Sequence, residues 1–188
     1  MKKPYDKNKI GKFIGWGGEH LVYEYEKDKV IKFSLHVCLS GKSAVDKIRR
    51  DYHDGLKYFS GYILPTDILT WSDGKKCAEI QKKIECRFLR RNDLQNPLIN
   101  EQFFDIMQRH QIMENETNEV FDLLGREGLF KFKLNFISNI LVTSGNKLIL
   151  IDFTILNLHP LKLREWPLWL IITWAKHRQK KLLSDFIK

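Results

Sequence analysis

Two residues near the middle of the chain have the types and the placement for metal chemistry. Leu134-Asn135-Phe136-Ile137-Ser138-Asn139-Ile140-Leu141-Val142 is followed, across Thr143-Ser144-Gly145-Asn146, by Lys147-Leu148-Ile149-Leu150-Ile151-Asp152-Phe153-Thr154. Apolar residues on both sides of a polar, glycine-containing turn predict a hairpin of two short strands. A hairpin brings its open ends together, so the amide oxygen of Asn139 and the carboxylate of Asp152 are expected to converge. Hard oxygen donors of this kind suit a magnesium ion carrying phosphates. An ordinary buried hairpin capped by polar residues has the same pattern, and the rest of the chain decides between the two.

Bulk composition sets the outer bounds. A chain of 188 residues with 43% hydrophobic content can bury a core as one domain or as two small lobes. Cys38, Cys77 and Cys86 have no metal-ligand spacing, and reduced thiols in a cytosol are the simplest expectation. Met1-Lys2-Lys3-Pro4-Tyr5-Asp6 lacks the apolar core of a signal peptide. The most apolar run, Trp166-Pro167-Leu168-Trp169-Leu170-Ile171-Ile172-Thr173-Trp174-Ala175, is too short to span a bilayer. A cytoplasmic protein is the expectation. The net charge is +9, from 32 basic and 23 acidic residues, and part of the excess is concentrated in Lys176-His177-Arg178-Gln179-Lys180-Lys181. Such a run reads as a solvated helix face or as a contact for an anionic membrane or a protein partner. No nucleic-acid motif accompanies it, so specific nucleic-acid binding is not expected.

The elements that must position Asn139 and Asp152 follow from pattern. Lys9 to Trp16, Leu21 to Tyr25 and Val30 to Phe33 read as three antiparallel strands separated by Gly17-Gly18 and by Lys27-Asp28-Lys29. Val45, Ile48, Tyr52, Leu56 and Phe59 recur every three or four residues and predict a helix from about Lys42 to Phe59. Asp67 to Trp71 is a fourth strand, Asp73-Gly74 a hairpin turn, and Lys76 to Phe88 a fifth strand running into a connector near Lys83-Ile84-Glu85-Cys86. Two helices are expected next, about Asn100 to Gln111 after Pro97 and about Glu116 to Gly125. A helical pair is expected over Leu158 to Lys188.

In this order the segments resemble a protein kinase. Asn139-Ile140-Leu141-Val142, a turn and Leu148-Ile149-Leu150-Ile151-Asp152-Phe153 resemble the pair of segments from which kinases draw two magnesium ligands. Gly15-Trp16-Gly17-Gly18-Glu19-His20-Leu21-Val22 resembles the phosphate-covering loop G-x-G-x-x-G-x-V, with His20 where the third glycine would stand. Val30-Ile31-Lys32 resembles the third-strand motif whose lysine contacts the α- and β-phosphates, the alternative being a surface lysine on a half-exposed strand. Asp51, in Ile48-Arg49-Arg50-Asp51, lies where the kinase helix offers an acidic residue to that lysine, although aspartate is one methylene shorter.

Among compact kinase-like families the chain resembles the bacterial PhoP-regulated YrbL family along most of its length. That resemblance rests on the early glycine turn, Ile48-Arg49-Arg50-Asp51, Asn139-Ile140-Leu141, and Leu158-His159-Pro160-Leu161 before a Trp-rich basic helix. The lipopolysaccharide core sugar kinases have similarly short tails. The pattern breaks at the base: H-R-D-x-x-x-x-N puts a proton-accepting Asp five residues before the Asn, and that position here is Leu134. Lys133 and Asn135 are the neighbours that could stand in, and Thr154 replaces the Gly of D-F-G.

The resemblance implies an α+β, two-lobe kinase-like fold, with an antiparallel N-lobe (1–83) carrying one helix and a truncated, mainly helical C-lobe (84–188). It implies ATP and Mg as cofactors, with Asn139 and Asp152 on the metal. Gly15, Gly17, Val22, Lys32 and Asp51 would line the nucleotide, and Lys32 and Asp152 would serve catalysis. The function implied is an atypical phosphotransferase or a pseudokinase. A non-catalytic scaffold docking through Trp166, Trp169, Trp174 and the basic extension is the alternative of a different class.

Overall fold

The computed structural model describes residues 3–16, 20–34, 41–125, 134–152, 154–156 and 166–187. The fold is α+β, and the chain divides into two compact units, 1–53 with 64–84, and 54–63 with 85–188.

The N-terminal unit is built on a five-stranded antiparallel sheet. Its strands are β1 (Ile10–Trp16), β2 (His20–Tyr25), β3 (Lys29–Ser34), β4 (Thr66–Trp71) and β5 (Lys76–Lys82), in the order β1-β2-β3-β5-β4. Strand alternation sends Tyr25, Ile31, Ala78 and Ile80 to one face, where they pack with Tyr5 and with Tyr23, Phe33, Leu69 and Trp71. The other face takes helix α1 (Lys42–Phe59), whose Val45 packs on Cys77 with Ala44, Ile48 and Ile68 around them. The turn between β4 and β5 is as its sequence requires: Ser72, Asp73 and Gly74 all have positive φ, at 56°, 57° and 76°.

The expected fifth strand from Lys76 to Phe88 is in fact two strands. Lys83 N–H bonds Asp28 O at 2.7 Å, a last tie to β3's turn, and after it the chain leaves the first sheet. Strand β6 (Cys86–Arg90) then pairs with a different partner in the C-terminal unit.

That unit contains a three-stranded sheet of β6, β8 (Phe136–Thr143) and β9 (Leu148–Leu150), and a short ladder of β7 (Val120–Phe121) with β10 (Ile155–Leu156). It also carries helices α2 (Pro97–Thr117) and α3 (Trp166–Ile187). The expectation of two helices between Asn100 and Gly125 is corrected here. One helix runs without interruption from Pro97, because no Gly or Pro breaks it and Ile99, Phe103, Ile106, His110 and Met113 form one continuous buried stripe. Asn118, at φ 60° in the left-handed region, ends it by bonding Glu114 O. The residues after it, Val120 and Phe121, have a β-branched and an aromatic side chain and pair with Leu156 and Ile155.

The start of α2 is fixed by Asn96, whose side chain accepts from Leu98 N–H at 3.0 Å ahead of a proline in the first turn. Asn96→Ala is expected to lower the stability of the C-terminal unit by about 0.5–2 kcal/mol. Urea unfolding followed by circular dichroism measures this, and an unchanged midpoint would show that the cap contributes nothing.

Candidate functional site

In the N-terminal unit the residues singled out from sequence fall into one row across the sheet. Gly15 faces Val22, Val22 faces Lys32, Lys32 faces Glu79, and Glu79 faces Ile68. Directly opposed residues share a face with their Cβ atoms about 4.5–5.5 Å apart. Gly15, Val22 and Lys32 are therefore brought together by register, and the space beside Gly15 is open to any group approaching the backbone. Gly17, Gly18 and Glu19 lie outside the described residues.

Asp51 is on α1 in the same unit and only 4% exposed, and two of its partners are on its own helix. Lys47 hydrogen-bonds it one turn away, and Arg50 Nε lies 3.9 Å from its second oxygen. Among the described residues no ion pair joins it to Lys32. The acid opposite Lys32 is Glu79, 3% exposed in a strand whose interior is otherwise largely apolar. His20 Nε2 lies 3.0 Å from Glu79 Oε1, so the residue standing in the third glycine's place reaches the acid beside the lysine.

In the C-terminal unit the hairpin sets the backbone of Asn139 beside the stretch that leads into Asp152: Ile151 N–H bonds Asn139 O at 3.0 Å. Asn139 owes its aim to an irregularity. Leu89 pairs with Ile137 and Phe88 with Leu141, so Ser138, Asn139 and Ile140 stand outside the ladder with β6. Bulges of this kind re-aim a side chain and are common beside active sites. Asp152 has φ 64°, a conformation that L-residues other than glycine adopt rarely and that concentrates at functional sites. Phe153 and Lys133 lie outside the described residues.

The acid nearest Asn139 along the hydrogen-bond network is not at Leu134, which is buried and apolar. It is Asp122, just past β7. Asn139 Nδ2 donates to Asp122 O at 2.7 Å and Asn139 N–H to Leu123 O at 3.3 Å. The Asp122 carboxylate accepts from Leu124 N–H at 3.0 Å and Gly125 N–H at 2.8 Å, while Asp122 N–H bonds Thr154 O at 2.9 Å. One short segment thus ties Asn139 to the stretch that follows Asp152. Gly125, at φ 52°, closes the turn; a Cβ there would come within 3.3 Å of Asn139 Oδ1 and Ser138 Oγ. With Nδ2 committed to a carbonyl, the Asn139 amide presents Oδ1 as its free lone-pair donor.

That donor set is small. Among the described residues no group of three or more His, Cys, Asp or Glu forms a metal cage. Magnesium seldom uses one, being held through one or two carboxylates with waters and phosphates completing its shell. The oxygen donors of Asn139 and Asp152 fit that mode.

Behind Asp122 lies a buried polar pair. His110 Nε2 donates to Phe121 O at 3.0 Å, and Gln179 Nε2 donates to the same oxygen at 2.9 Å. The two nitrogens are 3.2 Å apart, and both direct protons at the carbonyl rather than at each other. Glu114, Lys176 and Lys180 are the charged groups around His110. Burial raises the Glu114 carboxyl's pKa, but hydrogen bonds from Lys176 (2.6 Å) and Lys180 (2.9 Å) outweigh this and hold it below the usual carboxylate value.

Sequence reasoning missed Asp122, Glu79 and Gln179. Asp122 was hidden by motif spacing, since its approach to Asn139 is made through space from far outside a five-residue interval. Glu79 had a signal, a charged residue flanked by Cys77, Ala78 and Ile80 at the centre of a strand. Gln179 had none, being one polar residue in a basic run.

No protein-family model matches the chain, and no curated protein matches it. A solved structure described as "PpkA-294 apo form" is similar at a TM-score of 0.45 and 13% sequence identity, over 81% of this chain and 61% of that one. The chain therefore spans less than two thirds of that structure's length. No helix among the described residues is long and apolar enough to cross a membrane.

Burial holds the pKa of His110 below the ordinary histidine value. The unfolded chain then binds the proton more readily than the folded one. Stability is complete above about pH 6.5 and falls as the pH drops below it, by at most about 1.4 kcal/mol per pH unit. Glu114 contributes a separate loss only below the ordinary carboxylate range. Urea midpoints from pH 8 to pH 5 should decline for wild type and stay flatter for His110→Gln; parallel curves would show that His110 is not the group responsible.

Proposed function

We propose that the chain is a magnesium-dependent, nucleotide-binding phosphotransferase of kinase-like fold, of the YrbL type. The observation that carries this reading is the joint between Asp122 and Asn139: an acid oriented by two N–H donors, locked through its own carbonyl to the nitrogen of an amide whose oxygen is left for another partner. With Asp122 in that position the chain has a candidate proton acceptor, so a phosphotransferase is favoured over a pseudokinase.

In this reading Asn139 Oδ1 and the Asp152 carboxylate would hold magnesium, which when bound neutralises phosphate charge. Lys32 would contact the phosphates of ATP from the row it shares with Gly15 and Val22, and the backbone at Gly15 and Gly17 would approach them. Glu79, opposite Lys32, would orient the ammonium in the part expected of Asp51. Asp122 would accept the proton of the attacking hydroxyl, a role worth about 10²–10⁴ in rate. With Asp122 as the base, the YrbL-like reading and that of a lipopolysaccharide core sugar kinase differ in the acceptor of the phosphate.

A second reading, an interaction module for a protein partner or an anionic membrane, is supported by α3. Leu170 is 50% and Trp174 49% exposed, and the Arg178 guanidinium lies 5.1 Å from the Trp174 ring centre. The side chains of Trp166 and Trp169, and residues 158–161 before them, lie outside the described set.

Thermal unfolding with ATP and magnesium separates the two. Saturation at 100 times the dissociation constant adds about 2.7 kcal/mol, or roughly 5–10 °C for a chain of this size. Wild type should shift by that amount, Asp152→Asn should lose the magnesium-dependent part, and Asp122→Asn should keep the shift while phosphate release falls about 10²–10⁴-fold. No shift in wild type would leave the interaction module.

A further inference from the structure

We infer that Gln179, on the C-terminal helix α3, is the positioning residue for Asp122. The inference rests on the reading of Asp122 as the proton acceptor.

Gln179 is 3% exposed, and both ends of its amide are used on the same piece of backbone. Its Nε2 donates to Phe121 O at 2.9 Å and its Oε1 accepts Leu123 N–H at 2.9 Å. These two groups belong to the peptides on either side of Asp122. One side chain therefore fixes both peptide planes that set the direction of the Asp122 Cα–Cβ bond, and rotating either plane breaks a bond. The peptide on the Leu123 side is the one whose carbonyl receives Asn139 Nδ2. Gln179 thus also holds in place the oxygen that aims the metal-side amide.

Packing alone does not call for this residue. The neighbouring inward positions of α3 are Leu182, Leu183 and Phe186, all buried and apolar. An amide buried among them is tolerated only because each of its groups is bonded. Its partners are also the ones that leave the segment most exposed to error. Phe121 O would keep His110, but Leu123 N–H has no other acceptor among the described residues. A displacement of about 1 Å at a catalytic group can cost about 100-fold in rate, and in a segment with neither helix nor long ladder Gln179, bonded to both peptides, shares the holding of that tolerance with Thr154 O on Asp122 N–H and Asn139 Nδ2 on Asp122 O.

The test uses the full chain and reads release of inorganic phosphate from ATP and magnesium. The proteins are wild type, Gln179→Glu, Gln179→Met, Asp122→Asn, and Gln179→Glu combined with Asp122→Asn. The glutamate keeps the acceptor for Leu123 N–H but, ionised, cannot donate to Phe121 O. At pH 8 its kcat should be lower by about 10- to 100-fold with KM for ATP changed less than about threefold. Lowering the pH protonates the carboxyl and restores the donor, so its rate relative to wild type should recover, while Gln179→Met should be slow at every pH. In the Asp122→Asn background Gln179→Glu should have no further effect on kcat.

Should Gln179→Glu match wild type, or slow the reaction equally with and without Asp122, the residue is structural and the inference falls. Wild type that releases no phosphate overturns the reading of Asp122 and this inference with it. Active wild type with an indifferent Gln179 overturns the inference alone. If Gln179→Glu does not fold, Gln179→Met decides through the same comparison with and without Asp122.

Discussion

The C-terminal unit depends on one constraint, that a short irregular stretch of backbone buried at its centre must have every polar group bonded. From Phe121 O to Gly125 N–H each donor and acceptor has a partner. The stretch is neither helix nor extended ladder, so those partners come from other elements: His110 from α2, Gln179 from α3, Ser138 and Asn139 from β8, Thr154 from the approach to β10. Each element is therefore tied to the others through a segment with little structure of its own. The site chemistry and the packing of the unit are one problem, because the group with the richest chemistry, Asp122, is the middle of that stretch.

The N-terminal unit solves a different problem with regular structure. Its sheet is covered by aromatic and aliphatic side chains on one face and by the first turns of α1 on the other. Into the second face it admits Lys32, Glu79 and His20, polar groups a strand would normally direct to water. The register holds them at fixed spacing without any loop. Glu79 is held by His20 at 3.0 Å, an arrangement that keeps a buried carboxylate bonded beside a lysine.

Much of this was legible in the sequence. Alternation and turn chemistry gave β1 to β4 and the hairpin of β8 and β9, and the spacing of Val45, Ile48, Tyr52 and Phe59 gave α1. The backbone bond from Ile151 to Asn139 followed from the hairpin alone. Three things were not legible. The switch of sheets between Lys82 and Cys86 has no breaker residue to mark it and depends on where β8 lies. The fate of residues 116–125 turned on Asn118, whose left-handed conformation ends a helix that propensity would have continued. Which residue stands across from Lys32 depended on which strand lies beside β3, a tertiary fact that put Glu79 there.

The bulge in β8 has a consequence in counting. Ile137 and Leu141 are four residues apart and by simple alternation would point the same way, yet they pair with Leu89 and Phe88, which point opposite ways. The three residues between them reverse the parity of the strand with respect to β6, while Ile140, Leu141 and Val142 keep regular register with Leu150, Ile149 and Leu148 of β9, so their burial in succession means that both faces are covered there. The two ends of β8 are thus phased independently, and Asn139 sits in the phase shifter. Losing one residue there would move the same Ser138 and Asn139 groups that bond Leu124 O, Asp122 O and Leu123 O, so a single bulge sets both the direction of that amide and the ties of the buried stretch.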